Sequence, residues 1–154
     1  MGVLVSHVSN NAAGIFLFYQ NSVLLSKRIK THKGKSVPFG GYWSLFAGSC
    51  KDSENPINCA IRELEEEAGI SLSFTDAEYV STIQRDDLQL HVYAYECPEM
   101  PSIKLNFEHT EYGWFFLDEL KNFPYKIDNE LVECILFYRR KKLNETKHIK
   151  KDIT

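Results

Sequence analysis

Apolar residues recur along this chain with two different periods, and the changes of period divide it into elements. Residues 14–20, Gly-Ile-Phe-Leu-Phe-Tyr-Gln, and residues 22–28, Ser-Val-Leu-Leu-Ser-Lys-Arg, are short runs rich in aromatic and branched side chains. Such runs predict strands, and the Asn21-Ser22 dipeptide between them predicts a hairpin turn. A polar stretch over residues 29–42, with lysines, glycines and a proline, reads as a loop, and residues 43–47, Trp-Ser-Leu-Phe-Ala, alternate like a short strand. From Pro56 the period lengthens: Ile57, Ile61, Leu64 and Ala68 fall at the three- and four-residue intervals that line one helix face. Asn55 suits the N-cap, Pro56 the first turn and Gly69 the exit.

Beyond that helix, residues 78–84 and 88–96 read as a second strand pair turning around Asp86-Asp87, and residues 113–117, Gly-Trp-Phe-Phe-Leu, as another strand. Residues 128–142 read as a closing helix, capped by Asp128 and carrying Leu131, Ile135 and Tyr138 on one face. No repeats, low-complexity tracts or linkers interrupt the pattern. Strands and helices that interleave in this way predict an α/β class with a central sheet, as a single domain over residues 1–143 followed by a polar basic tail over 144–154.

Composition narrows the choice. At 154 residues, with 44% hydrophobic, 13% aromatic and 25% charged side chains, the chain has the length and balance of one folded domain. A net charge of -3 gives no bulk attraction to nucleic acid or to an anionic membrane. Cys50, Cys59, Cys97 and Cys134 form no CxxC pair, which argues against a zinc site or disulfide framework and for a reducing, cytoplasmic setting. The N-terminal segment lacks a basic n-region and is too interrupted by Ser, His and Asn to span a membrane. Gly2 and Ser6 satisfy a formal N-myristoylation pattern, with no polybasic second signal after it.

The chemistry sits on the first helix. About 100° of turn per residue gathers Glu63, Glu66 and Glu67 on a face expected to point away from the Ile57, Ile61, Leu64, Ala68 stripe. Like charges at these spacings cost a helix roughly 0.2–0.5 kcal/mol per pair unless a cation lies between them. Hard oxygen ligands suit Mg²⁺, or Mn²⁺ in its place. An acidic face of this kind is ordinarily just solvated.

The wider spacing decides against that reading. Gly48, Glu54 and the run Arg62-Glu63-Leu64-Glu65-Glu66-Glu67-Ala68-Gly69-Ile70 reproduce Gly-x5-Glu-x7-Arg-Glu-U-x-Glu-Glu-x-Gly-U, where U is a bulky aliphatic residue. A match at every fixed position arises by chance on the order of once per hundred million starting points. The chain resembles the Nudix hydrolases. The resemblance implies a Nudix-type α/β/α sandwich with a central mixed β-sheet. It also implies a Mg²⁺-dependent pyrophosphohydrolase acting on a nucleoside diphosphate linked to another group, with nucleoside triphosphates and nucleotide sugars as leading substrates. It assigns Glu63, Glu66 and Glu67 as metal ligands, with the Ala47 carbonyl as a further one. Arg62, counted with the catalytic set, would pair with Glu54 rather than touch substrate. Gly48, Glu54 and Gly69 would be structural positions of the motif.

Further candidates lie outside the motif. The resemblance marks Glu108, six residues before Trp114, as a second ligand or the catalytic base, with Glu63 the competing base and Glu111 a weaker third choice. His109 is expected to be a solvent-exposed loop residue. Arg28 is the leading phosphate contact, because a bidentate guanidinium fits phosphate well. Lys30 adds charge in the same loop, Tyr42 and Phe39 are candidates for stacking on a base, and Trp43 is expected in the core.

Two positions depart from the family pattern. Phe46-Ala47-Gly48 replaces the usual Pro-Gly-Gly, and Ser53 stands where glycine is frequent. Arg139 to Lys142 are expected to complement the dipole at a helix end. Two other functions stay open beside the leading one. One is a pyrophosphohydrolase of RNA 5′ ends, using the basic loop and tail. The other is a non-catalytic nucleotide sensor, a role the intact glutamates speak against. A homodimer is a further arrangement that the resemblance allows.

Overall fold

The computed structural model describes the backbone of residues 10–153 and side chains as far as residue 147. The N-terminal residues 1–9, with Gly2 and its myristoylation pattern, lie outside the described residues, as do the side chains at the end of the basic tail. Strand β1 (Asn10–Tyr19) occupies the middle of a seven-stranded sheet. Along one edge it runs parallel to β8 (Leu88–Glu96). Along the other it pairs antiparallel with β2 (Ser22–Arg28) near its end and with β6 (Phe46–Ser49) near its start. Strand β7 (Glu78–Arg85) continues the sheet beyond β8, while β9 (His109–Phe116) and β5 (Trp43–Ser44) pair with β2. The sheet is therefore mixed, as expected, and a separate two-stranded ribbon, β3 (Thr31–His32) with β4 (Lys35–Ser36), rises from the basic loop.

The continuous apolar run in β1 reflects burial on both faces, as befits a central strand with a parallel neighbour. Ala13, Ile15 and Leu17 point to one side, where they pack with Phe46, Ala60, Leu64 and Ala68. Phe16 and Phe18 point to the other, where Leu131, Ile135 and Tyr138 cover them. Helix α1 (Pro56–Ala68) lies on the first face and α2 (Asn129–Ile153) on the second, giving an α/β/α sandwich. The Phe18 and Tyr138 rings stack at 5.0 Å across the α2 interface.

Several local expectations shift. The β1–β2 turn falls on Gln20-Asn21, one residue early, with Gln20 in the left-handed region at φ 52°. The stretch 43–47 breaks into β5 and β6, because Trp43 pairs with Lys27 while Phe46 pairs with Ile15. The strand anticipated at 113–117 begins at His109 instead. Asn55 sits at the N-cap of α1 without a side-chain capping bond, whereas Asp128 caps α2 through Oδ1, 2.9 Å from the Glu130 amide.

Helix α2 does not stop near Lys142 but runs to Ile153, since neither glycine nor proline follows to break it. Arg139 and Lys142 are therefore mid-helix and do not serve the dipole at an end. Arg139 donates to the Gln20 carbonyl at 2.6 Å, and Lys142 pairs with Glu78 at 2.6 Å, tying α2 to the sheet. No helix among the described residues is long and apolar enough to cross a membrane.

Candidate active site

Strand β6 delivers Ala47 and Gly48 to the sheet edge, and a short loop carries the chain to α1. Ser53 holds that loop at φ 64°, so the left-handed turn expected of a glycine persists with a serine in it. Gly69 ends α1 at φ 70°, donating its amide to the Glu65 carbonyl. Gly48 matters for a different reason. A Cβ there would stand 2.3 Å from the Glu63 carboxyl carbon, so the absence of a side chain is the space that Glu63 occupies.

The glutamates of α1 do not share one solvated face. Glu63 is buried, Glu67 is 0% exposed, and Glu66 alone of the proposed ligands is exposed. Seven residues at 100° place Glu67 about 20° from Ala60 around the helix axis, so Glu67 borders the apolar stripe rather than opposing it. Its burial follows from that position.

Arg62 organises one half of the cluster. Its Nε lies 2.8 Å from Glu54 Oε2 and its Nη2 2.9 Å from Glu54 Oε1, a bidentate pair, while Nη2 also donates to the Ser49 carbonyl at 3.1 Å. Nη1 reaches Glu63 at 2.9 Å and Glu66 at 3.2 Å. The guanidinium and the Lys51 amide hold the Glu54 carboxyl down at about 2. The expected Arg62–Glu54 pair is thus present, and it extends to two of the proposed ligands. Cys50 and Cys59 lie within 4.8 Å of Glu54, but the Arg62 guanidinium already supplies the positive charge there, and all the cysteines are free thiols.

Among the described residues, no such cation contacts the other half. Burial, then the neighbouring Glu63 carboxyl, then the negative charge of Glu108 push Glu67 up to about 10, with Arg28 pulling weakly the other way. Glu67 Oε2 is buried with no hydrogen-bond partner among the described residues, and so is Arg28 Nε. Glu67 Oε1 is engaged by His109 Nε2 at 2.5 Å, and His109 Nδ1 lies 2.8 Å from Ser26 Oγ. His109, expected in solvent, is 4% exposed. It opens strand β9 opposite Arg28, and the Phe46 ring packs edge-on against it at 5.0 Å. Burial first and Arg28 second lower its pKa to about 4, so the ring is neutral.

Glu108 is half-buried just before β9, where its carbonyl accepts the Ile29 amide at 2.8 Å and its own amide donates to Asn106 Oδ1. Glu111 lies apart, exposed and 3.5 Å from Lys27. A cavity of about 320 Å³ reaches Gly48, against which the Glu63 carboxyl packs, and is lined also by Arg28, Phe39, Tyr42, Trp43 and Ala47, with none of the four candidate glutamates on its wall. Lys30 is exposed and runs along Gly41, outside that lining. Trp43 is core, as expected, stacking on Tyr125 at 5.5 Å. Sequence reasoning missed the Ser26–His109 link and the Arg85–Asp128 pair on the cavity wall, whose guanidinium lies 5.0 Å over Phe39. The register of β2 against β9 is the feature that would have placed His109 beside Arg28.

Burying an uncompensated carboxylate costs several kcal/mol, roughly, unless a proton or a cation neutralises it. Glu63, Glu66 and Glu67 offer hard oxygens, and an unpartnered buried Oε2 sits among them. This donor set fits Mg²⁺ or Mn²⁺.

Comparisons with known proteins bear on the family and the fold. Residues 8–134 match the model of the NUDIX domain. The chain is 32% identical over 82 residues, 53% of its length, to an 8-oxo-dGTP diphosphatase of Proteus vulgaris, and spans 66% of that relative. A MutT NUDIX hydrolase from Burkholderia pseudomallei superposes with a TM-score of 0.66 at 23% identity, over 81% of this chain and 94% of that one. A bifunctional NMN adenylyltransferase/ADP ribose pyrophosphatase from Francisella tularensis, complexed with AMP and Mn, gives 0.68 at 18% identity, over 91% of this chain and 46% of that one. At these identities the structures speak to the fold alone. The match over residues 8–134 takes in every residue of the carboxylate cluster and its partners, and the chain belongs to the Nudix family.

Proposed function

We propose that the chain is a Mg²⁺-dependent hydrolase that cleaves the phosphoanhydride of a nucleoside diphosphate linked to another group. The observation that carries the reading is the convergence of Glu63, Glu67 and Glu108 around a buried, unpartnered carboxylate oxygen, beside a cavity that Arg28 enters. Glu63, Glu66 and Glu67 would hold the metal, with the Ala47 carbonyl as a further ligand. A divalent ion bound there supplies charge neutralisation for phosphate oxygens and acidifies water. Arg28, whose Nε has no partner among the described residues, would bind a phosphate oxygen. Phe39 and Tyr42 would face the nucleoside from the cavity wall.

Of the two candidate bases, Glu108 is favoured. Arg62 already engages Glu63 Oε1 at 2.9 Å, whereas no ion pair engages the Glu108 carboxylate among the described residues. The relative named for 8-oxo-dGTP supports a nucleotide substrate of this kind.

The test is release of phosphate and pyrophosphate from nucleoside triphosphates, nucleotide sugars, dinucleotides and triphosphorylated RNA, with Mg²⁺ and with Mn²⁺, by the parent and by Glu66→Gln. Turnover that the substitution abolishes supports the reading, and the preferred substrate identifies the class. Preference for RNA, with activity falling steeply in salt, would move the assignment to RNA 5′ ends. Tight nucleotide binding without turnover in either metal would replace the hydrolase with a sensor.

A further inference from the structure

Glu67 belongs to the motif, but what holds its side chain does not. The Ser26 hydroxyl lies 2.8 Å from His109 Nδ1, and His109 Nε2 lies 2.5 Å from Glu67 Oε1. Ser26 is 0% exposed, and the side chains of His109 and Glu67 are likewise sealed from solvent. The order Ser, His, Glu invites comparison with a nucleophilic triad. A serine with no exposed surface cannot meet a substrate, so its hydroxyl has another use. A hydroxyl that donates to Nδ1 confines the proton of a neutral imidazole to Nε2, which then donates to Glu67 Oε1. With Oε1 engaged, Oε2 is left as the free oxygen, and it is the one with no hydrogen-bond partner among the described residues.

Backbone bonds join the same two segments. The Lys104 amide donates to the Ala68 carbonyl at 2.9 Å and the Asn106 amide to the Glu67 carbonyl at 3.0 Å, while the Phe46 ring closes the far side of the imidazole. Glu108, the favoured base, is the residue next to His109. One side-chain chain thus runs from β2 through the segment that carries the base to a ligand on α1.

We propose that His109, held in its Nε2–H tautomer by Ser26, is a positioning residue that fixes Glu67 as a one-oxygen metal ligand through Oε2. This rests on the metal site proposed above. A hydrogen bond to a ligating group orients it, and loss of such a partner typically costs about 10–100-fold in metal affinity.

Mn²⁺ binding, followed by the electron paramagnetic resonance signal of the free ion without substrate, tests the inference on the parent, Glu67→Gln, His109→Leu, His109→Gln and Ser26→Ala. His109→Leu should bind Mn²⁺ about 10–100-fold more weakly. His109→Gln, whose amide nitrogen can replace Nε2, should recover most of that loss, a rescue that repacking alone would not produce. Ser26→Ala should weaken binding several-fold, and long-range ¹⁵N–¹H spectra of the parent should show His109 protonated at Nε2. Parent-like affinity in a folded His109→Leu protein, or a proton on Nδ1 in the parent, overturns the inference while leaving the metal site intact. Should His109→Leu fail to fold, Ser26→Ala decides: unchanged affinity overturns the inference, a several-fold loss supports it. A parent that binds no better than Glu67→Gln overturns the metal site itself, and this inference with it.

Discussion

Glu54 and Glu67 are the same residue type, one just ahead of α1 and one in its last turn, yet their carboxyl groups shift in opposite directions, to about 2 and to about 10. Arg62 makes the difference at the first, with two hydrogen bonds to the Glu54 carboxylate. At the second, burial and the negative neighbours Glu63 and Glu108 act together, and the positive charge of Arg28 opposes them only weakly. One end of the cluster is neutralised from within the chain and serves as a fixed brace. The other is left short of positive charge, the deficit that the proposed metal ion would relieve. A site that binds a metal must be incomplete without it, and the cost of that incompleteness is carried by the fold.

The substitution that breaks the comparison most strongly is Glu67→Gln. It removes a proposed metal ligand, so turnover should fall by several kcal/mol of transition-state stabilisation, roughly 10³-fold or more. It also replaces a buried group poorly suited to carry charge with a neutral one that still bonds to His109. The metal-free melting temperature should therefore rise or hold while activity disappears. The parent should gain stability with saturating Mg²⁺, about 2.7 kcal/mol at one hundred times the dissociation constant, and Glu67→Gln should not. Melting curves with and without Mg²⁺, set beside turnover, check both halves. A variant destabilised without metal and still stabilised by Mg²⁺ would remove Glu67 from the site.

Gly48→Ala tests the geometry rather than the charge. Its new Cβ would fall 2.3 Å from the Glu63 carboxyl carbon, and the flexible end of Glu63 can swing away. Folding should change little, whereas metal affinity should drop by about 10–100-fold as the carboxylate leaves its place. Calorimetric titration with Mn²⁺ beside a melting curve separates the two effects. A large loss of stability with unchanged affinity would show that Gly48 serves the backbone and not Glu63.

The motif was legible because its chemistry constrains spacing along a single helix and the loop before it. Period and run length likewise disclosed the central strands and both helices. What stayed hidden depends on segments that meet only in the folded chain. His109 reads as part of a polar stretch, Glu-His-Thr-Glu, and nothing local announces that Phe46, Ser26 and Glu67 will enclose it. The burial of Glu63 and Glu67 was closer to hand. A helical wheel places Glu67 nearly in line with Ala60, but an apolar stripe drawn through Ile57 and Ile61 hides this. Those isoleucines are only half-buried, and Ala60, Leu64 and Ala68 carry the contact with the sheet.

On the compensated side, Glu54→Ala strips Arg62 of its main partner and leaves the guanidinium with Glu63, Glu66 and the Ser49 carbonyl. Side chains that are 15% and 22% exposed make a pair neither fully buried nor freely solvated. The expected loss is therefore about 1–2 kcal/mol, below that of breaking a buried pair. Denaturant unfolding without metal measures it. A variant as stable as the parent would mean that Arg62 finds equal support from the remaining glutamates, and that the brace is shared rather than vested in Glu54.

The smallest effect is a slope with pH. The Glu54 carboxyl titrates near 2 when folded, against an ordinary 4.5, so the unfolded chain takes up this proton first as the solution is acidified. The stabilisation is fully present above about pH 4.5 and is lost as pH falls through that value towards 2. Glu67 runs the other way: its folded pKa is raised, so the unfolded chain gives up this proton at lower pH, and the group costs stability increasingly from about pH 4.5 upward to about 10. Between pH 2 and 4.5, metal-free Glu54→Gln should therefore lose less stability on acidification than the parent. Between pH 5 and 8, metal-free Glu67→Gln should lose less stability on alkalinisation. Equal slopes in both windows would mean that the carboxylates are solvated alike, and the contrast between a compensated and an open end of the cluster would disappear.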